Sequence, residues 1–397
     1  MRAAHARAAR SWSKLLGPVV DQLIFAEAEL SDVPTHITAE DEQRLANAKQ
    51  DTNNAFKELQ RVVKKHQKLL MPQQHAQAAA VEARGRITHN DLGIWSDDNE
   101  EALARVMRFC REYGQAKMGI QLAHAGRKAS TNRPWEGRDS LSEEQNPWET
   151  ISSSATPQDE GWHTPKAMDR NDMDTVRDAF VEATKRSDRL GFDMIEVHSA
   201  HGYLLHEFLS PICNTRNDEY GGTIENRMRF PLEVFAAMRD VWPEEKPMGL
   251  RLSATDWEDN GWTPEDSVTY SQKLKELGCD YICASSGGIS GNTRLELGEG
   301  YQIEFAEKIR RDAGIPTMAV GMIYDPHHAE SVVAQGQGDM VALARGLLFD
   351  PHWPVRAAAA LGVEASSPPQ YQRAYGFRFL REKEQAWIKP QPAKAAE

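Results

Sequence analysis

The sequence predicts an α/β barrel, with parallel strands inside and helices outside. Three observations carry that expectation. From residue 97 onward, short apolar runs alternate with amphipathic stretches of helical length. A chain of 397 residues has room for one barrel of about 250–300 residues and an appendage. Last, the run His198-Ser-Ala-His-Gly-Tyr203 follows directly on the buried-strand pattern Gly191-Phe-Asp-Met-Ile-Glu-Val197. Two imidazoles and a phenol thus fall at a strand's C-terminal end, where such barrels keep their chemistry.

The elements are read in order. A helix over 97–113 leads into a strand over 118–124. A Trp-, Pro- and Ser-rich excursion over 131–168 is too long for an ordinary connection and is a candidate active-site loop. A helix over 172–190 feeds a strand over 192–198. Helix–strand pairs follow at 223–242 and 248–253, 264–277 and 281–284, 302–313 and 317–320, then 326–335 and 340–343. A closing helix spans 351–361. This gives six strands where a barrel needs eight, and only residues 1–96 remain to supply the others. That region reads as helix instead. Residues 39–70 form one polar helix with a thin stripe of Leu45, Phe56, Leu59, Val62 and Val63, and residues 12–30 also keep helical spacing. Two roles stand for the helix over 39–70: a solvated appendage, or an oligomerisation or partner-binding surface.

Composition narrows the function classes. A net charge of −12 without a basic, aromatic-interleaved patch argues against nucleic acid as partner. No run approaches the ~18 apolar residues of a membrane span, so a cytoplasmic location is expected. The first residues carry Arg2, Arg7, Arg10 and Lys14 with no acid before Asp21. They read either as a mitochondrial-type transit segment or as a solvated basic helix. Cys110, Cys213, Cys279 and Cys283 lack paired zinc spacing and fit a reducing compartment, so no metal is expected. Cys279 and Cys283 read as core packing.

Chemistry-bearing residues cluster at strand ends. His198 and His201 can converge on one anionic or carbonyl oxygen, with Tyr203 facing the same cavity as a proton donor. The bland alternative is a pair of strand-capping histidines. Gln121, inward on its strand, offers donor and acceptor to the edge of a heterocycle. Arg251 lies among apolar residues on a buried strand and must be paired. Its partner is either a structural carboxylate or an electron-accepting ring whose anionic reduced form it stabilises. Ser285-Ser-Gly-Gly288, Gly321 and Arg345-Gly346 follow successive strands, as in a barrel's phosphate cradle. Singly, each is ordinary turn chemistry.

The run Gly85-Arg-Ile-Thr-His-Asn-Asp-Leu-Gly-Ile-Trp-Ser-Asp97 resembles the Old Yellow Enzyme family of flavin-dependent ene-reductases. So do His124-Ala-Gly-Arg-Lys-Ala-Ser130, Asn132-Arg-Pro-Trp-Glu-Gly137, the stretch from His198 to Asn214, Asp218-Glu-Tyr-Gly-Gly222 and Glu225-Asn-Arg227. The chain is most similar to the bacterial xenobiotic-reductase and NADPH-dehydrogenase branch, over residues 81–375. The resemblance implies a TIM barrel that holds FMN non-covalently and works by ping-pong hydride transfer. NADPH (or NADH) would be the reductant, and the activated C=C bond of an α,β-unsaturated carbonyl or nitro compound the acceptor. It implies that Gln121 reads the flavin pyrimidine and that Arg251 lies near its N1 and O2. Ser286, Gly287, Gly321, Arg345 and Gly346 would complete the cofactor site. His198 and His201 would bind the substrate oxygen, and Tyr203 would protonate the α-carbon. Arg373 resembles the C-terminal arginine that this branch inserts into a neighbouring subunit's active site, implying a homo-oligomer. The family's first strand, with Pro-Met and a Cys or Thr, is not recognisable before Val81. Residues 1–80 are therefore expected to be a helical extension, 81–375 the FMN-binding domain and 376–397 a polar tail. A catalytically impaired relative, lacking the first flavin-lining strands, is the alternative.

Overall fold

Strand parity decides what the central sheet buries and what it offers to chemistry. The structure, a computed structural model, describes residues 78–114, 116–137, 139–291 and 297–363. Its elements in chain order begin with β1 (Ala79–Ala80), α1 (Asp97–Tyr113), β2 (Gly119–Ala123), β3 (Ile151–Ser152), β4 (Lys166–Ala167) and α2 (Arg170–Arg189). Next come β5 (Met194–Ser199), α3 (Leu204–Leu209), α4 (Ile224–Arg239), β6 (Met248–Ser253), α5 (Pro264–Glu276) and β7 (Ile282–Ser285). The last are α6 (Ile303–Ala313), β8 (Thr317–Val320), α7 (Pro326–Ala334), β9 (Met340–Ala342), α8 (Arg345–Phe349) and α9 (Trp353–Ala360). Leu103–Ala116 cluster in one compact unit, and residues 78–102 and 117–363 in another that holds everything described below.

Seven parallel strands run in the order β1-β2-β5-β6-β7-β8-β9, the succession of a β/α barrel. In register, Gln121 lies beside Glu196, His198 beside Arg251, Arg251 beside Cys283 and Ser253 beside Ser285. Because side chains alternate faces, these groups line one surface, the barrel interior. The opposite parity is apolar: Ile120, Leu122, Ile195, Val197, Leu250, Leu252, Ile282 and Ala284 are each at most 7 % exposed. Burying a large apolar side chain contributes about 1.5–3 kcal/mol. The outer parity therefore stabilises the fold, and the inner parity is free to be polar.

The expected six strands are all present, their ends shifted by two residues or fewer. The expectation that residues 1–96 supply none is corrected, because β1 pairs Ala79 with Leu122 and Ala80 with Ala123. Three consecutive alanines carry no β-branched or aromatic signal. They form a strand because β2 and the Leu92 and Ile94 backbones complete the hydrogen bonds of Ala80. The helices start where side-chain caps sit. Asp169 and Asp172 close a capping box on α2, Thr263 and Asp266 do so on α5, and Thr223 and Asp325 cap α4 and α7.

The excursion over 131–168 is tied down along its length. Arg127 donates to the carbonyls of Thr156 and Pro157, Arg216 to those of Ser153 and Met168, and Trp148 to that of Arg84. Among the described residues no helix is long and apolar enough to cross a membrane. The expected helices over 12–30 and 39–70, the basic segment from Arg2 to Lys14, and Arg373 lie outside the described residues.

Candidate active site

His198 is the penultimate residue of β5, and Tyr203 is the N-cap of α3. The turn between them is tight: His201 has φ 58° and Gly202 φ 70°. A Cβ on Gly202 would stand 2.2 Å from the carbonyl oxygen of Gly288, so the turns after β5 and β7 can abut only with glycine there. Lys128 locks the junction, donating to the carbonyls of His201 (2.9 Å) and Gly288 (3.0 Å). The same ammonium lies 5.3 Å from the centroid of the Tyr203 ring.

The sequence-predicted trio is brought together. His198 has its ring centroid 5.1 Å from that of His201 and 4.9 Å from that of Tyr203. His198 Nε2 and His201 Nδ1 stand 3.2 Å apart. The Ala200 N–H donates to His198 Nδ1 (3.3 Å), which assigns the His198 proton to Nε2. On its far side His201 Nε2 meets Ser285 Oγ at 2.7 Å. Burial first, then the Arg251 guanidinium, hold both imidazoles well below the usual histidine range. At neutral pH they are uncharged, and each has one N–H to aim.

Beneath the trio lies a polar layer. Gln121 Nε2 donates to Glu196 Oε1 (2.5 Å), while Gln121 Oε1 is buried with no partner. Arg251 reaches Ser285 Oγ through a long 3.4 Å contact from Nη2, and its Nε is likewise buried and unpartnered. Burial raises the Glu196 carboxyl, and the nearby Arg251 charge with bonds from Gln121 and Tyr281 only partly offsets this. An orphaned acceptor and an orphaned guanidinium N–H in one interior suit the edge of a heterocycle that offers both an N–H and a carbonyl.

Gly321 (φ 133°) follows β8, and Arg345 with Gly346 open α8 just after β9, the strand paired to β8. The predicted cradle residues therefore share one sheet edge. The Ser285–Gly288 turn behaves differently. Gly287 spends its N–H on Thr255 O (2.8 Å), and Ser286 Oγ donates to Gln302 Oε1 (2.7 Å). Gln302 in turn donates to Val320 O (2.9 Å), joining the β7 and β8 ends.

Sequence reasoning did not single out Glu196, Lys128, Gln302 or Glu207, and it read Ser285 as part of a phosphate cradle, whereas its hydroxyl meets His201. Glu196 was findable, since it stands two residues before His198 and shares its inward parity. Lys128 and Gln302 act through backbone carbonyls and a remote loop, for which the sequence carries no signal. Glu207 sits on α3, accepting from the Arg127 N–H (2.9 Å), and burial pushes its carboxyl up to about 7. His206 and Asp256, both fully buried, stand 3.1 Å apart but off the line of a good hydrogen bond, and Gly202 N–H donates to His206 Nδ1 (2.9 Å). Burial alone would raise Asp256; His206 and bonds from Trp262 and Ser210 bring it below the usual range. Cys279 and Cys283, read as core packing, are both buried, and burial raises both thiols, Cys283 to about 12; Cys213 is likewise buried and pushed up to about 11.

Glu207 carries a pH prediction. Its folded-state carboxyl is raised, so folding holds a proton that the unfolded chain releases above its ordinary value of 4.5. The stability it contributes is full below pH 4.5 and is lost as pH rises to about 7. Glu207→Gln keeps an acceptor for Arg127 and is expected to stabilise the protein at pH 8 by a few kcal/mol at most. Thermal melts of both proteins from pH 4.5 to pH 8 check this. Parallel Tm–pH curves would show that Glu207 does not titrate in that window.

Barrel and site together define a class: a β/α-barrel protein whose polar interior, with a buried acceptor and a buried guanidinium N–H left unpartnered, is suited to a heterocyclic ligand. Comparison with known proteins makes this specific. The sequence profile of the NADH:flavin oxidoreductase / NADH oxidase family matches residues 64–364, and the chain belongs to that family. It is an NAD(P)H-dependent FMN oxidoreductase. An NADPH dehydrogenase of Geobacillus thermodenitrificans is 45 % identical over 303 residues, spanning 76 % of this chain and 83 % of that one. Among solved structures, morphinone reductase matches with TM-score 0.58 and 26 % identity over 75 % of this chain and 81 % of its own. Histamine dehydrogenase from Rhizobium sp. 4-9 matches with TM-score 0.59 and 27 % identity over 71 % of this chain. The chain spans only 40 % of that protein's length.

Proposed function

We propose that the protein is an NADPH-dependent ene-reductase acting on α,β-unsaturated carbonyl or nitro compounds. NADPH as the donor is supported by the name of the Geobacillus relative. One observation carries the choice of acceptor: His198 Nε2 and His201 Nδ1 converge to 3.2 Å beside the Tyr203 ring. Two neutral imidazole nitrogens that face one point, His198 Nε2 carrying its proton there, suit a carbonyl or nitro oxygen that gains charge during reduction.

The residues present fit FMN. The orphaned Gln121 Oε1 would accept from the pyrimidine N–H, and Arg251 would face the ring edge where negative charge collects. Gly321, Arg345 and Gly346 would take the phosphate, with Ser286 and Gly287 shaping the neighbouring turn. When bound, FMN would supply the hydride-transfer chemistry that links NADPH to the β-carbon of the acceptor.

The chain's own residues do the rest. His198 and His201 hold the acceptor oxygen and polarise the conjugated C=C bond. Both rings stay neutral, so they donate hydrogen bonds and do not transfer protons. Tyr203 supplies the proton to the α-carbon, and the phenolate left behind lies under the Lys128 ammonium.

Rapid mixing of the two half-reactions tests the reading. NADPH should bleach the flavin, and cyclohex-2-enone should restore its colour. In Tyr203→Phe the bleaching rate should be unchanged and recolouring slowed by about 10². Wild-type enzyme that enone cannot reoxidise would sink the proposal.

A further inference from the structure

Resting on that reading, we infer that Ser285 is a positioning residue: its hydroxyl sets which nitrogen of His201 carries the proton, so that both imidazoles can donate to one substrate oxygen. His198 and His201 are both neutral, and their facing nitrogens are 3.2 Å apart. The Ala200 N–H places the His198 proton on Nε2, where it donates to His201 Nδ1. His201 Nδ1 is then an acceptor, and its proton sits on Nε2, aimed at Ser285 Oγ 2.7 Å away. In that arrangement only His198 has an N–H facing the gap between the rings.

A substrate oxygen placed between the rings needs N–H groups from both sides. His198 already complies. His201 must bind the oxygen as its Nδ1–H tautomer, and Nε2 is then an acceptor that needs a donor. Ser285 is built for the exchange, because a hydroxyl both donates and accepts. Its Oγ has two acceptors within reach, His201 Nε2 at 2.7 Å and Gln302 Oε1 at 3.3 Å. In one setting the hydroxyl donates to Gln302 and accepts a hydrogen bond from His201 Nε2–H. In the other it turns to donate to His201 Nε2, and the Arg251 Nη2 contact at 3.4 Å serves the freed lone pair. Gln302 is fixed from behind by Val320 O and also receives Ser286 Oγ, so it does not depend on Ser285 to remain in place. Ser285 itself is only 3 % exposed, so water does not substitute for it.

The test uses the holoenzyme and a phenol, p-hydroxybenzaldehyde, whose oxyanion should occupy the substrate-oxygen position and whose stacking on oxidised flavin should be read as a long-wavelength charge-transfer band. Ser285→Ala should bind the phenol about ten-fold more weakly, the loss of roughly one oriented hydrogen bond. KM for the enone should rise similarly, while flavin reduction by NADPH and FMN content stay at wild-type levels. Ser285→Thr, which restores a hydroxyl, should recover most of the affinity. ¹⁵N spectra of phenol-bound enzyme should show the His201 proton on Nδ1 in wild type and a mixture of tautomers in Ser285→Ala. If His198→Ala abolishes the band but Ser285→Ala binds phenol as tightly as wild type, the Ser285 role is overturned and the ene-reductase reading survives. Wild type without any band overturns both. Equal losses in Ser285→Ala and Ser285→Thr would also overturn the tautomer role.

Discussion

The double substitution His198→Ala, His201→Ala is expected to abolish enone turnover and phenol binding while FMN remains bound. Loss of one donor aimed at developing negative charge costs about 2.7–4 kcal/mol. Two donors on one oxygen act as a unit, so their losses do not simply add. A fall of about 10³–10⁴ in kcat/KM for the enone is therefore expected, with the NADPH half-reaction preserved. The fold should tolerate the change, because the orphaned partners are one backbone N–H and one hydroxyl, about 1–3 kcal/mol each. Both imidazoles are depressed, so the unfolded chain binds protons that the native state refuses. Their contribution to stability is present above about pH 6.5 and is lost as pH falls toward the depressed native values. The double variant should lack that acid-side loss, which melts at pH 5.5 and pH 7.5 would reveal. Unaltered turnover would remove the oxygen-binding role altogether.

Much of this site was legible in the sequence because strand parity is a strict code. His198 and Arg251 could be placed inward from their strands alone, and the structure sets them side by side in register. Tyr203 and His201 follow from the tightness of the turn after β5. What escaped depends on groups far apart in sequence. Ser285 meets His201 across 84 positions and Lys128 meets Gly288 across 160, contacts that no local pattern encodes. β1 escaped for the opposite reason. Its two alanines are strand only because β2 and the backbone around Leu92 complete their hydrogen bonds, so tertiary context overrides a weak propensity. The acid layer illustrates a third limit. Parity alone turns Glu196 inward, but the Gln121, Tyr281 and Arg251 groups that surround it come from segments far away in sequence.

Arg251 joins these parts, and its removal should have the widest effect. Its charge lowers His198 and His201, opposes the rise of Glu196 and acts on the Tyr301 phenol. Arg251→Met keeps much of the volume and deletes the charge. FMN binding should weaken by about 10²–10³, the cost of roughly 3–4 kcal/mol for deleting one partner of a desolvated charge pair. The protein should purify largely colourless and inactive, and fluorescence titration with FMN would measure the loss. Two linked shifts should accompany it. Both imidazoles should move up toward the ordinary histidine range, visible in ¹⁵N titrations of the apoprotein. Glu196, already raised, should rise further, so stability should fall more steeply as pH climbs above 4.5. Arg251→Lys separates charge from shape: it should restore the imidazole titrations but only part of the FMN affinity, because an ammonium lacks the planar fork. If Arg251→Met instead retains yellow FMN at wild-type affinity, Arg251 serves only to balance Glu196, and the flavin edge must be read by other groups in the barrel.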